Sequence, residues 1–578
     1  MRFLIAAALF VASLVSLLLG IGDRTLWAPP ADHRISINVE TKSPFIIVPA
    51  EVLSSFPGQP TVSVTSLGRT FAALGRESDI RAWVGNAQYL ELAADKTGAG
   101  LPIIKKGAEH IGISGTSPQN SDLWIVQQAG AGSASVSAVT RSDTGALIAS
   151  DGKAPAPTQL LFVWPIAHDL TFSNTMIDIG IALMVAAVVM FIIASRHARI
   201  KRGPRRRTPK APKVKKVRVR RNKSLVKPKG RRSARNPIVQ RAAAGLLAAA
   251  VSASLAGCSL QLPGVAGGAA SASPKVSSTA NNQTPAAVTH AQLERILVDV
   301  AAVAAQADET KNRALLSSRF AGPAFKLRAI NYILRKKSSA IEPLPSIAAA
   351  PITFSLPAST DTWPRVIMAV TDEPGQANLP QMIVLQQASP RDNYKVWYVS
   401  RLLPGVKIPA VATEDMGAIP VDPKSVFLKL APNQLAQAFG DVINRGRTSL
   451  SAGLFNLSNP FYEQVSSDQK AQAAALVNAK ITYKHTLGEP NTMALATADA
   501  GALVAVFMND TYTIKPSRPG SAVAVDGAEK VLLGTGGSTT GVQSVYGDML
   551  FFYVPPVTSK STIELLGATQ GLLAIKKL

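Results

Sequence analysis

The sequence predicts a multidomain membrane protein: an all-β exported N-terminal domain between two transmembrane helices, then a disordered basic linker, a signal-type helix and duplicated α+β C-terminal units. Three observations carry that reading. Two runs of twenty residues, 3–22 and 176–195, contain a single charge between them, Asp178. Residues 196–235 hold 20 Lys and Arg and no Asp or Glu, so of the net charge of +25 only 25 − 20 = +5 belongs to the rest. Apolar residues alternate in short runs before residue 170, whereas after residue 288 helical stripes precede strand-like runs.

Each twenty-residue run spans about 30 Å as a helix, the thickness of a bilayer core. Trp27, Trp164 and Phe172 are expected beside their outer ends, where amphipathic rings sit at headgroup level. Cations flanking a span stay in the cytoplasm. Arg2 precedes the first run and RHARIKRGPRRR (196–207) follows the second, so residues 23–174, with 11 basic and 13 acidic groups, are expected outside. The protein is thereby expected in the plasma membrane.

Within the exported domain, residues 31–170, strands are predicted around Ile35–Val39 and Val62–Val64, and at 121–128, 134–140, 145–150 and 159–164. GRESDIRAWVG (75–85) is the one short helix, capped by Ser78 or Asp79. A β-sandwich-like domain or an open antiparallel barrel accommodates this order.

The basic linker, 196–241, interleaves its cations with Pro and Val, a composition that opposes compaction. It lacks stacking aromatics, which argues against nucleic acid as partner and leaves topology retention or anionic membrane lipids. The next apolar run, 242–257, would reach only about 24 Å as a helix, short for a span and suited to a signal core. It ends in Leu255-Ala256-Gly257-Cys258, which resembles a lipobox. That resemblance implies a lipoprotein-type signal, with Cys258 lipidated. Cys258 is the only cysteine, so no disulfide forms within the chain. Residues 258–288 read as a flexible, lipidated tether rich in Ser, Ala, Gly and Thr. Both folded parts are then extracytoplasmic and 196–241 cytoplasmic.

The C-terminal part divides into α+β unit 1 (289–410) and α+β unit 2 (425–578). In the first, Thr289 and Gln292 form a capping box before the stripe Leu293, Ile296, Leu297, Val300. A second helix, 325–337, ends in cations, and strands follow at 352–356, 365–371, 381–387 and 394–400. The second repeats the order: helices near 435–446 and 466–479, then strands at 480–487, 502–509, 531–534, 548–554 and 562–568. Helices followed by a bent antiparallel sheet resemble the NTF2-like cone fold, which implies a pocket. Across the chain, SDLW at 121, the SDGKAPAPT run at 150, Trp164-Pro165 and LAGC at 255 are similar to uncharacterised actinobacterial envelope proteins.

The six histidines are scattered with no metal spacing, and no cofactor motif is present, so neither metal nor cofactor is expected. His485 alternates with Ile481, Tyr483 and Leu487, on the apolar face of a strand. It is read as a core histidine, with a pocket acid or base as the alternative. The functional expectation is a membrane- and lipid-anchored envelope component that binds or scaffolds an envelope protein or glycan. The rival is an enzyme or accessory subunit acting on a cell-wall glycan or lipid.

Overall fold

The computed structural model describes residues 1–28, 30–95, 103–113, 115–139, 141–166, 170–201, 284–372 and 379–578. Two compact units divide the chain: Met1–Leu18 with Met176–Asn281, and Leu19–Thr175 with Asn282–Leu578.

Helix α1 (Arg2–Thr25) leads into the N-terminal region. There follow β1 (Asp32–Asn38), β2 (Phe45–Val48), α2 (Ala50–Leu53), β3 (Thr61–Arg76), α3 (Glu77–Val84), β4 (Tyr89–Asp95), β5 (Ile103–His110), β6 (Val126–Ser137), β7 (Thr144–Ala149) and β8 (Gln159–Pro165). Rather than two stacked layers, the strands make one eight-stranded sheet in the order β1-β8-β3-β7-β2-β4-β5, with β6 also paired to β3. It curls on itself: Ile37 of β1 and Ile104 of β5, from opposite ends of that order, share a core with Val62, Ile148 and Phe162. Trp164 is in this core and not at a membrane interface. Strand alternation turns it inward with Leu160 and Phe162, and its indole donates to the Leu53 carbonyl at 2.8 Å. The other face of the sheet, Phe45, Ile47, Phe71 and Leu147, is covered by α3 and Trp124.

Two expectations need correction here. The runs 121–128 and 134–140 are not two strands, because residues 126–137 form one continuous strand and SDLW is a loop. Helix α3 has neither Ser78 nor Asp79 as its cap. Arg76 holds the cap position without a side-chain bond, and Asp79 is used elsewhere.

Helix α4 (Thr171–Lys201), like α1, is long and apolar enough to cross a membrane. In the first unit the two run antiparallel, with Phe3 against Phe191 and Ser13 against Gly180. The Ser13 and Ser16 hydroxyls donate to the Gly180 and Met176 carbonyls, each at 2.7 Å. Such small-residue contacts are how helices associate where lipid removes the hydrophobic drive.

The C-terminal region is α+β. It begins with α5 (His290–Thr310), where both arms of the Thr289/Gln292 capping box are formed. Then come α6 (Arg313–Leu316), α7 (Gly322–Lys337), β9 (Ile352–Pro357), β10 (Arg365–Thr371), β11 (Gln381–Gln387), β12 (Lys395–Leu402), α8 (Leu435–Arg445) and α9 (Pro460–Ala475). The chain closes with β13 (Ala479–Leu487), β14 (Met493–Ala496), β15 (Ala502–Pro516), β16 (Val523–Ala524), α10 (Gly527–Leu533), β17 (Gly537–Ser538), β18 (Val542–Val554) and β19 (Glu564–Lys577). The expected strand at 531–534 is instead the end of α10, stopped by Gly534 at φ +78°.

The two expected α+β units share one nine-stranded sheet, β13-β15-β18-β19-β12-β11-β10-β9, with β14 on β15. The junction is β12 against β19, Arg401 facing Ala568. Helices α5 and α7 pack on one face with Leu503, Phe507 and Phe551; α8 and α9 pack on the other with Val504, Val506 and Phe552.

Candidate functional site

Within the second unit, the N-terminal sheet and the C-terminal region meet through buried charge. Asp79, in the first turn of α3, accepts from Arg365 Nη2 at 2.6 Å, and both side chains are at most 2% exposed. The Arg365 guanidinium also lies 3.8 Å from the ring centre of Trp363, which packs against the outer face of the N-terminal sheet. A second cation, Arg76, is hydrogen-bonded to Asp361 and sits within 3.9 Å of Asp79 and Asp143. Burial draws the Arg76 guanidinium below its ordinary range, opposed by those carboxylates.

The SDLW loop supplies the rest of the interface. Asp122 Oδ2 accepts from Arg319 Nη1 at 2.5 Å and from the Tyr394 amide at 2.8 Å. Gln292, having reached back to close the capping box, donates to the Leu123 carbonyl at 3.0 Å. Arg295 Nη1 donates to the Ile125 carbonyl at 3.2 Å, and Arg391 Nε to the Trp83 carbonyl at 2.8 Å. Apart from the Arg391 bond, which goes to the end of α3, these bonds consume the carbonyls and the one acid of a loop whose composition resembled a strand. The signal in the sequence is an acid set into apolar neighbours, Asp79-Ile80 and Asp122-Leu123-Trp124. Such an acid stays buried only with a partner, although the sequence does not name it.

A cavity of about 230 Å³ lies between α7 and β12, β18 and β19, walled by Leu327, Leu334, Val399, Met549 and Leu572. The loop after α7 covers it with Ile341 and Leu344.

His485 is elsewhere, under α8, where Gly440 comes so close that an added Cβ would lie 2.2 Å from the His485 Cβ. Its Nε2 is 3.1 Å from Asp510 Oδ1, at an angle too poor for a hydrogen bond, and neither ring nitrogen has a hydrogen-bond partner. Neither His485 nor Asp510 lines the cavity. The neighbouring Asp548 carboxyl is pushed well above the usual range by burial and, secondarily, by the charge of Asp510. A carboxyl whose pKa is higher folded than unfolded contributes stability fully below the unfolded value of about 4 and loses it as pH rises through the folded value. Asp548→Asn should therefore raise the melting temperature at pH 8 while changing it little at pH 3.5. An equal shift at both pH values in thermal melts would contradict this.

Cys258 and its neighbours Leu255, Ala256 and Gly257 lie outside the described residues. Among those described, no group of three His, Cys, Asp or Glu could hold a metal ion. Residues 284–577, about half of the chain, match the model of a family described as a domain of unknown function, DUF8094. No curated protein and no solved structure matches the chain.

Proposed function

The chain belongs to the DUF8094 family, and from that premise we propose that it is a membrane- and lipid-anchored binding or scaffold component of the cell envelope whose two halves act as one body. The observation that carries this reading is the Asp79–Arg365 pair, whose members stand 286 residues apart in sequence. Buried pairs of this kind form only between regions folded in one compartment. Residues 31–170 are bracketed by α1 and α4, and the cations after α4 favour the cytoplasm for residues 196–241. To reach the interface, residues 284–578 then have to return across the bilayer, which the run 242–257 would achieve as a signal, leaving Cys258 for acylation on the outer leaflet.

The largely apolar lining of the cavity, which includes neither His485 nor Asp510, supports binding over catalysis. The partner is expected to be an envelope protein or glycan held at the surface of the joined body. A diacylglyceryl group on Cys258 would supply two acyl chains, which hold a protein lastingly at a membrane where one chain alone is marginal.

The test is metabolic labelling with a radioactive fatty acid, combined with a protease site inserted at residues 265–275. Label should appear on a C-terminal fragment of about 320 residues, counted from Cys258 to Leu578, and disappear in Cys258→Ala. After cleavage at the inserted site the two fragments should still co-purify in mild detergent. Fragments that separate at once would remove the joint-body reading, and label insensitive to Cys258→Ala would remove the lipid anchor.

A further inference from the structure

We propose that the cavity under α7 binds an unbranched alkyl chain that carries a hydrogen-bond donor, the chemistry of a lipid chain ending in a hydroxyl group. This goes beyond the anchoring role and does not depend on it, since every wall of the cavity lies in the C-terminal region.

The walls define the class. At about 230 Å³ the space exceeds the ~150 Å³ apolar cavities that stay dry yet take up a small hydrocarbon. The described lining has aliphatic side chains on the helix, sheet and loop sides, with polar residues such as Asn331, Gln381 and Gln570 among them, and its one aromatic ring is Phe320 just before α7. Two facing rings, which a nucleobase or another flat ligand would need for stacking, are not among these residues. Branched and thioether side chains such as Leu327, Leu334 and Met549 suit a flexible chain.

The polar groups that border the space are mostly committed to its covering loop. Arg328 Nη2 donates to the Pro345 carbonyl at 2.9 Å, Asn331 Nδ2 to the Glu342 carbonyl at 2.9 Å, and Gln381 Nε2 to the Ser346 carbonyl at 2.6 Å. Arg328 is in addition paired with Asp308. These three side chains pin the loop so that Ile341 and Leu344 line one side of the cavity. Asn331, one of the residues lining the cavity, keeps its Oδ1 buried and without a hydrogen-bond partner. A buried acceptor left unpaired is costly, and a ligand O–H would satisfy it while the alkyl chain fills the aliphatic part.

The probe is a ten-carbon alcohol with a photoreactive diazirine in its chain, applied to the full chain in phosphatidylcholine nanodiscs, with labelled peptides mapped by mass spectrometry. Label is expected on residues 320–345 and should be displaced by unlabelled alcohols, whose potency rises about fourfold per added methylene from hexanol to decanol. Ala324→Phe, which places a ring in the cavity, should reduce this label at least tenfold while α1 and α4 still label from the lipid phase. Asn331→Leu should abolish the preference for decanol over decane. Competition by decanol against 1-decanoylglycerol distinguishes a free alcohol from a membrane glycerolipid as source, and either result fits the proposal. Label confined to α1 and α4 in the unmodified protein, or label on 320–345 that neither competitor displaces, overturns it.

Discussion

Asp79→Ala is expected to destabilise the joined body by about 3–5 kcal/mol, the usual consequence of removing one member of a buried ion pair. The cause is the charge left behind. Arg365 is fully buried, and its Nε and Nη1 atoms already have no hydrogen-bond partner, so Asp79 is its one hydrogen-bonding carboxylate among the described residues. The Trp363 ring offsets part of this through its π face but cannot accept the lost hydrogen bond at Nη2. Arg76, within 3.9 Å of Asp79, would lose a carboxylate at the same time. The full chain in detergent should melt several degrees lower, and its cleaved halves should separate. Asp79→Ala with Arg365→Met should recover much of the loss, because an apolar replacement of both partners removes the stranded charge. If the single variant melts like the parent and its fragments still co-purify, the interface is not held by this pair.

Phe439→Ala is expected to cost about 3–5 kcal/mol by a different route, the cavity left when a core ring is truncated. Phe439 is fully buried on α8, with its ring centre 5.3 Å from that of Phe552 and 5.4 Å from that of Phe455. The neighbouring Gly440 already seats α8 so close to His485 that the helix cannot sink further to fill the space. Denaturant titration of the full chain should show the loss. Because the affected core faces away from α7, the alkyl-chain label on residues 320–345 should persist under native conditions. A loss below about 1 kcal/mol would mean that the site collapses around the missing ring.

The two variants separate what holds the halves to each other from what holds the C-terminal sheet to its second layer of helices. That distinction is physical: an ion pair is lost by stranding a charge, whereas an aromatic core is lost by opening a void. It also explains why His485 is a poor choice for a catalytic test, since a substitution there would disturb the seat of α8.

Much of the chain was legible from residue order. The two apolar helices, the Thr289/Gln292 cap, the cationic end of α7 and most strands follow from period and capping chemistry, which act over a few residues. Where local pattern misled, a distant partner was responsible. SDLW opens a run that reads as a strand, yet Asp122 is drawn out by Arg319 and Tyr394, and the loop follows it. Trp164 stands seven residues before the second apolar helix, but strand register turns it into the core.

The sequence by itself therefore determined the apolar helices, the sign of charge around them and most of the element types, because periodicity and charge are local properties of the chain. Only the tertiary structure decided that the repeated α+β order shares one sheet with its helices on opposite faces, that Asp79 belongs to Arg365, and that a cavity lies under α7. Those facts depend on groups tens to hundreds of residues apart being desolvated together, and desolvation is a property of the packed molecule that no window of sequence contains.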